Sequence, residues 1–157
     1  MNGASNGVKL GVLRLPLIAG KNPPGNLGQM IEAMRTRKYL SINNGRALRS
    51  CVLTSDLPSV FLSLLAQPGV YNLKHLPDPS FSDFEQSIQN VYKDARSIGN
   101  IPIWIANILA LVGGVIPGFP FNKNRLAKMT EDFTISDEKA RKILSWNGSW
   151  DPRKIPL

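Results

Sequence analysis

The stretch Val8 to Leu17, V-K-L-G-V-L-R-L-P-L, is apolar almost without interruption, with charges only at Lys9 and Arg14. Such continuity suits a β-strand covered on both faces, as parallel strands are in α/β sheets. A strand of this kind must have neighbours. Few other segments of the 157 residues look like it, so its partner strands are expected outside this sequence. The expected fold class is α/β, with an α+β-like character: a few short strands packed with about five helices. Met1 to Gly7 is polar and glycine-rich and is read as a flexible start.

Ile18 to Asn26, I-A-G-K-N-P-P-G-N, is a loop at what would be the carboxyl edge of that strand, where open α/β sheets bind ligands. Leu27 to Arg37 reads as a helix with Leu27, Met30, Ile31 and Met34 on one apolar face. Arg35, Arg37 and Lys38 at its end suit the negative end of the helix dipole. Asn44-Gly45 is a turn signal and Cys51 to Leu53 a short buried strand. Ser55 or Asp56 is expected to cap a helix from Leu57 that turns Leu57, Val60, Phe61, Leu64 and Leu65 inward. Arg46 and Arg49 then lie beside a rigid edge. Arginines so placed fit bidentate recognition of phosphate or carboxylate, although residue type alone favours a solvated basic turn.

Further along, Gly69 to Leu73 reads as a strand, and Ser80 with Asp83 as a capping box before a helix burying Phe81, Phe84, Ile88 and Val91. Ile101 to Phe121 carries no charge, but Pro102, Gly113-Gly114, Pro117 and Pro120 break it up. That favours a buried or partner-covered helix over a monotopic membrane contact, and either over a true span. Asn122 or Asn124 is expected to cap a short helix over Arg125 to Met129, and Phe133 to Ile135 to form a brief strand. Ser136 should cap a last helix with Asp137 and Glu138 in its first turn and Arg141 and Lys142 in its last. Ala140, Ile143, Leu144 and Trp146 should face inward there.

Nineteen Lys and Arg against eleven Asp and Glu give a formal charge of +8, which favours anionic partners without choosing among them. No nucleic-acid recognition motif accompanies the charge, and nucleic acid is not expected as a partner. The lone Cys51 excludes an internal disulfide and, with no secretion signal in view, points to a cytoplasmic setting. Asn147-Gly148-Ser149 is read as a chance glycosylation match. His75 is read as a loop or strand-end residue, and no metal site is recognisable.

Five pieces then occur in one order: Arg14-Leu-Pro-Leu-Ile-Ala-Gly20, Gly25-Asn26-Leu27, Gly45-Arg46-Ala-Leu-Arg49-Ser50 to Asp56, Gly69-Val-Tyr-Asn-Leu73 and Lys139-Ala-Arg-Lys-Ile-Leu-Ser-Trp146. Together they resemble the C-terminal half of the extended short-chain dehydrogenase/reductase family, the NAD-dependent sugar-nucleotide epimerases, dehydratases and reductases. The resemblance implies that residues 8–157 form the substrate-binding part of a Rossmann-type enzyme, including its last Rossmann-type strand. It also implies that an N-terminal NAD-binding half is missing. Neither the glycine-rich dinucleotide turn nor a Tyr-x-x-x-Lys pair occurs, Tyr39, Tyr71 and Tyr92 all lacking the lysine. The chain alone should therefore bind no cofactor and be inactive, with NAD or NADP belonging to the parent enzyme.

By the same resemblance, Asn26, with Leu27 beside it, lies at the substrate diphosphate and Arg49 pairs with that diphosphate. Arg46 is a second contact, Asn72 holds the nucleotide side, and Leu15, Pro16 and Leu17 approach the nicotinamide and sugar. Many epimerases carry a polar Asn where Leu17 stands, so the ordinary hexose 4-epimerase role is in doubt. The apolar stretch and N-x-x-R-L-x-K-M over residues 101–129 look more like the subgroup of bacterial polysaccharide biosynthesis, whose substrates include lipid-linked sugars. Expected partners are a nucleotide sugar or lipid-linked diphosphate sugar, the missing half, and a second copy in a homodimer. Two other readings stay open: a stand-alone binding or oligomerisation module, and a basic membrane-surface protein anchored by residues 101–121.

Overall fold

The computed structural model describes residues 9–115 and 123–151. The expected flexible start, Pro117, Pro120, a cap at Asn122 and the end of the tail lie outside them.

The opening apolar stretch is two strands rather than one. β1 (Val12–Arg14) and β2 (Leu17–Ala19) are separated by Leu15-Pro16. Pro16 has no N–H to give to a ladder, so the chain breaks pairing there and changes partner. Both partners lie within the chain, contrary to the expectation: β1 runs parallel to β5 (Val70–Asn72), and β2 parallel to β4 (Cys51–Leu53), Leu17 opposite Cys51. Full two-sided cover is also absent, because Val12 and Leu13 are only half-buried and Arg14 is exposed.

α1 (Gly25–Arg35) starts two residues earlier than expected and buries Leu27, Met30, Ile31 and Met34. Gly28 lets its first turn approach the preceding loop, since a Cβ there would stand 2.3 Å from the Pro23 carbonyl oxygen. The next strand, β3 (Tyr39–Ile42), has no counterpart in the expectations; it pairs in parallel with β6 (Ser97–Ile101) in a third two-stranded sheet. A 3-10 turn over Asn43–Gly45 follows, all three residues at positive φ. Gly45 is required there twice, by its φ of +61° and by the Ser82 amide nitrogen 2.7 Å from where a Cβ would sit.

β4 is buried on both faces and divides two cores. Cys51 and Leu53 point to the core built on α1, with Phe84, Ile88 and Trp150. Val52 points to the second, with Val60, Tyr71, Leu73, Ala140, Leu144 and Trp146. α2 (Pro58–Ala66) departs from its predicted face. Only Val60 is fully buried, Leu57 and Leu64 pack partly, and Phe61 and Leu65 stand exposed beside Leu62. The cap at Ser55 or Asp56 also fails, because the Asp56 carboxylate turns to the His75 Nε2–H at 2.8 Å while Leu57 precedes the helix without a side-chain bond. His75 follows β5 and is fully buried, with its edge against Trp146.

α3 (Phe81–Val91) opens with the expected capping box, Ser80 and Asp83 bonding reciprocally, and buries Phe84 and Ile88 while Val91 is exposed. α4 (Ile103–Val115) packs Ala106 and Ala110 against Ile42 and Leu126. Among the described residues no helix is long and apolar enough to cross a membrane. α5 (Lys123–Thr130) includes Asn124 in its body, so Asn124 is not its cap. Phe133 to Ile135 is not a strand but a single parallel bridge, Phe133 to Arg49. α6 (Glu138–Leu144) receives one bond from Ser136, whose hydroxyl accepts the Glu138 N–H at 3.4 Å, and it leaves Ile143 exposed.

Candidate functional site

The bond pattern around Leu48 to Ser50 makes this segment rigid before any side chain is considered. The Arg49 N–H donates to the Pro79 carbonyl at 2.8 Å, the Ser50 N–H to Phe133 at 3.0 Å, and the Phe133 N–H back to Leu48 at 2.9 Å. Behind it, the buried Ser50 hydroxyl donates to Asp78 at 2.6 Å and accepts the Ile135 N–H at 2.9 Å. Lys74 closes on the other Asp78 oxygen at 2.6 Å, with both side chains largely buried. Burial, and secondarily Asp78, pushes the Cys51 thiol well above its ordinary range, so Cys51 is an inert packing group rather than a nucleophile.

On this frame opens a cleft of about 460 Å3 at the carboxyl end of β1 and the amino end of the β2–β4 pair. Pro16, Leu17, Asn26 and Arg49, read from three separate segments of sequence, all line it. Asn26 is exposed in the first turn of α1, which has no acidic residue and is preceded by Pro24, whose side chain cannot accept from that turn. The helix start, with its partial positive charge, thus borders the cleft at Asn26.

Arg49 is engaged with protein. Its guanidinium donates to the carbonyls of Leu48 at 3.2 Å and Glu131 at 2.7 Å and to that of Lys128, at the carboxyl end of α5. It also lies over the Phe81 and Phe133 rings. Partial burial lowers its pKa, and Asp132 and Glu131 act in the opposite direction. Asp132 is itself held by the Leu48 N–H at 2.7 Å. The cleft thus carries two cations, Arg49 and Lys128, against two carboxylates, with apolar walls from Pro16, Leu17, Ala127 and Phe133.

The other expected site residues stand elsewhere. Leu15 packs with the second core and Leu27 is buried in the first. Arg46 is exposed past the Asn43–Gly45 turn and away from the cleft lining. Asn72 donates to the Ser136 carbonyl at 3.1 Å, opposite Arg14 in the β1–β5 ladder. Sequence reading missed Ser50, Ala127, Lys128, Glu131, Asp132 and Phe133 as cleft residues. Lys128 lay within the N-x-x-R-L-x-K-M segment, but no local pattern shows that Arg49 pulls the end of α5 over the cleft.

No family model matches the chain. Over 147 residues it is 27% identical to the 4-hydroxy-2-methyl-3-oxo-4-farnesyl-3,4-dihydroquinoline-1-oxide ketoreductase of Stigmatella aurantiaca, covering 87% of this chain and 44% of that protein. In structure it is similar to the UDP-glucuronic acid 4-epimerase of Bacillus cereus solved with UDP-glucuronic acid and NAD (TM-score 0.58, 13% identity, 92% of this chain and 42% of that one). A nucleoside-diphosphate-sugar epimerase of Pseudomonas aeruginosa gives a TM-score of 0.61 at 17% identity, over 93% of this chain and 45% of that one. The UDP-glucose 4-epimerase of Thermotoga maritima with UDP-glucose gives 0.56 at 16%, over 94% and 43%. The chain has the mixed α/β fold seen in these Rossmann-type epimerases, as the ordered motifs implied, and spans less than half the length of each relative.

Proposed function

We propose that this chain is the substrate-binding part of an NAD(P)-dependent enzyme of the short-chain dehydrogenase/reductase type. In this reading the substrate is a nucleotide sugar or lipid-linked diphosphate sugar whose phosphates enter the cleft. The observation that carries it is the meeting of Pro16, Leu17, Asn26 and Arg49 in one cleft with Lys128. The helix start at Asn26 and the Lys128 ammonium suit phosphate oxygens, while Pro16 and Leu17 form the wall nearest the reacting sugar. Arg49 shapes the cleft through α5 and offers its remaining donors to the same phosphates.

The residues of this chain do not fit a dinucleotide site, having neither glycine-rich turn nor Tyr-x-x-x-Lys pair. Cofactor binding and proton transfer are assigned to the other half of the parent protein. The exposed apolar residues Leu10, Phe61, Leu62, Leu65 and Val70, on and around β1, β5 and α2, offer that half a surface to pack on.

A second reading, reduction of a ketone on an apolar substrate, is favoured by the Leu17 and Phe133 walls and by the balance of Arg49 and Lys128 against Glu131 and Asp132. It is also favoured by the ketoreductase relative. The test uses the full-length protein, following conversion of UDP-sugars in the presence of NAD(P) by NMR, since epimerisation and dehydration leave the nicotinamide unchanged overall, and reduction of an uncharged cyclic ketone by NAD(P)H through nicotinamide absorbance. A response to UDP-sugars supports the first reading, and a response to the ketone alone replaces it with the second. No response to either removes the enzyme reading.

A further inference from the structure

We propose that a groove between α4 and α5 holds the isoprenoid tail of a lipid-linked substrate. This inference rests on the reading of the cleft as the site of the phosphate-bearing head. The groove, about 360 Å3, is walled by Ala110 and Leu111 of α4 and Leu126 of α5, and Ala127 and Glu131 border both groove and cleft. These two residues, four apart, form the ridge between the spaces, and the Ala127 methyl keeps it low enough for a chain to cross. A ligand leaving the cleft over Ala127 therefore enters a groove where Ala110, Leu111, Leu126 and Ala127 offer an apolar track beside a polar edge.

The far wall continues outward. Trp104, Ile108, Leu111 and Val112 follow i, i+4, i+7, i+8 spacing along α4 and are 62%, 52%, 55% and 44% exposed. No residue of α4 is charged, and the polar part of the groove lining is Asn107 of α4 with Lys123, Thr130 and Glu131 on the side of α5. A free nucleotide sugar has no use for such a stripe beside its site, whereas a long hydrocarbon attached to the phosphate does. A bilayer or a second copy would cover Trp104 and Ile108 but would not account for the junction at Ala127.

The test titrates the full-length protein calorimetrically with inorganic pyrophosphate and with farnesyl diphosphate below its micellar concentration. Farnesyl diphosphate should bind at least roughly ten-fold more tightly, since burying two methylenes already supplies that factor. Leu111→Glu should lower this affinity ratio at least five-fold. Ile143→Glu, at an exposed apolar position of α6 away from cleft and groove, should leave the ratio as it is. Equal affinities, a ratio insensitive to Leu111→Glu, or one lowered as much by Ile143→Glu overturns the tail site. Absence of pyrophosphate binding refutes the phosphate reading of the cleft instead, and the tail site is then judged by the effect of Leu111→Glu on farnesyl diphosphate alone.

Discussion

Replacing Arg49 by Ala should loosen the end of α5 as well as weaken ligand binding, because one guanidinium serves both. It makes three hydrogen bonds to carbonyl oxygens, two of them at the carboxyl end of α5, and lies over two aromatic rings. At a half-buried site each bond contributes about 1 kcal/mol and each ring contact about 0.5 kcal/mol. Ordering the arginine side chain costs up to about 2 kcal/mol in return, leaving a net near 2 kcal/mol. That difference corresponds to amide exchange about thirty-fold faster over the last turn of α5, read by hydrogen-exchange mass spectrometry. Arg49→Lys, which keeps the charge but not the planar fork, should fall between the two. If α5 exchanges at the same rate in Arg49→Ala, the bonds to Lys128 and Glu131 are not what holds the helix over the cleft.

Three further perturbations probe the frame. Asp78→Ala strands the buried Lys74 ammonium and releases Ser50, and should cost about 3 kcal/mol or more in urea denaturation; adding Lys74→Met should recover much of it. Ser80→Ala removes the capping box of α3 and should cost about 1 kcal/mol, seen as a lower denaturation midpoint. Cys51 and Tyr39 both have pKa values raised chiefly by burial, Cys51 also by Asp78 and Tyr39 by Glu85. Their folded forms hold protons that the unfolded chain releases. Each contribution is thus complete below the group's ordinary pKa, 9.0 for Cys51 and 10.0 for Tyr39, and is lost as pH rises past it, by up to about 1.4 kcal/mol per pH unit. Denaturation followed from neutral to alkaline pH should show that fall, with a Cys51→Ala variant falling less steeply.

Where local rules dominate, the chain announced its structure. The α1 face from Leu27 to Met34, the turn at Asn44-Gly45, β4 and the α3 capping box follow from spacing, positive-φ tolerance and reciprocal capping, none of which needs a distant partner. The failures sit where tertiary pairing decides. β3 and β6 are Y-L-S-I and S-I-G-N-I, too short and too polar to read singly, and they become strands because each supplies the other's hydrogen bonds. Pro16 was visible, but not that it marks a change of partner from β5 to β4. α2 kept its periodicity and lost its burial, since periodicity states which side is apolar, not what covers it. The cleft was half legible for the same reason. Pro16, Leu17, Asn26 and Arg49 belong to recognisable motifs, whereas Lys128, Glu131 and Phe133 reach it through long-range bonds to Leu48, Arg49 and Ser50.

The central claim, that this cleft receives the phosphates of a substrate, is met most directly by calorimetric titration of UDP into the full-length protein and into its Asn26→Ala/Lys128→Ala variant. Both side chains are exposed, so the variant should keep its denaturation midpoint. The account predicts binding weakened roughly ten-fold or more by loss of the two polar contacts. Unchanged UDP affinity in a folded variant contradicts it.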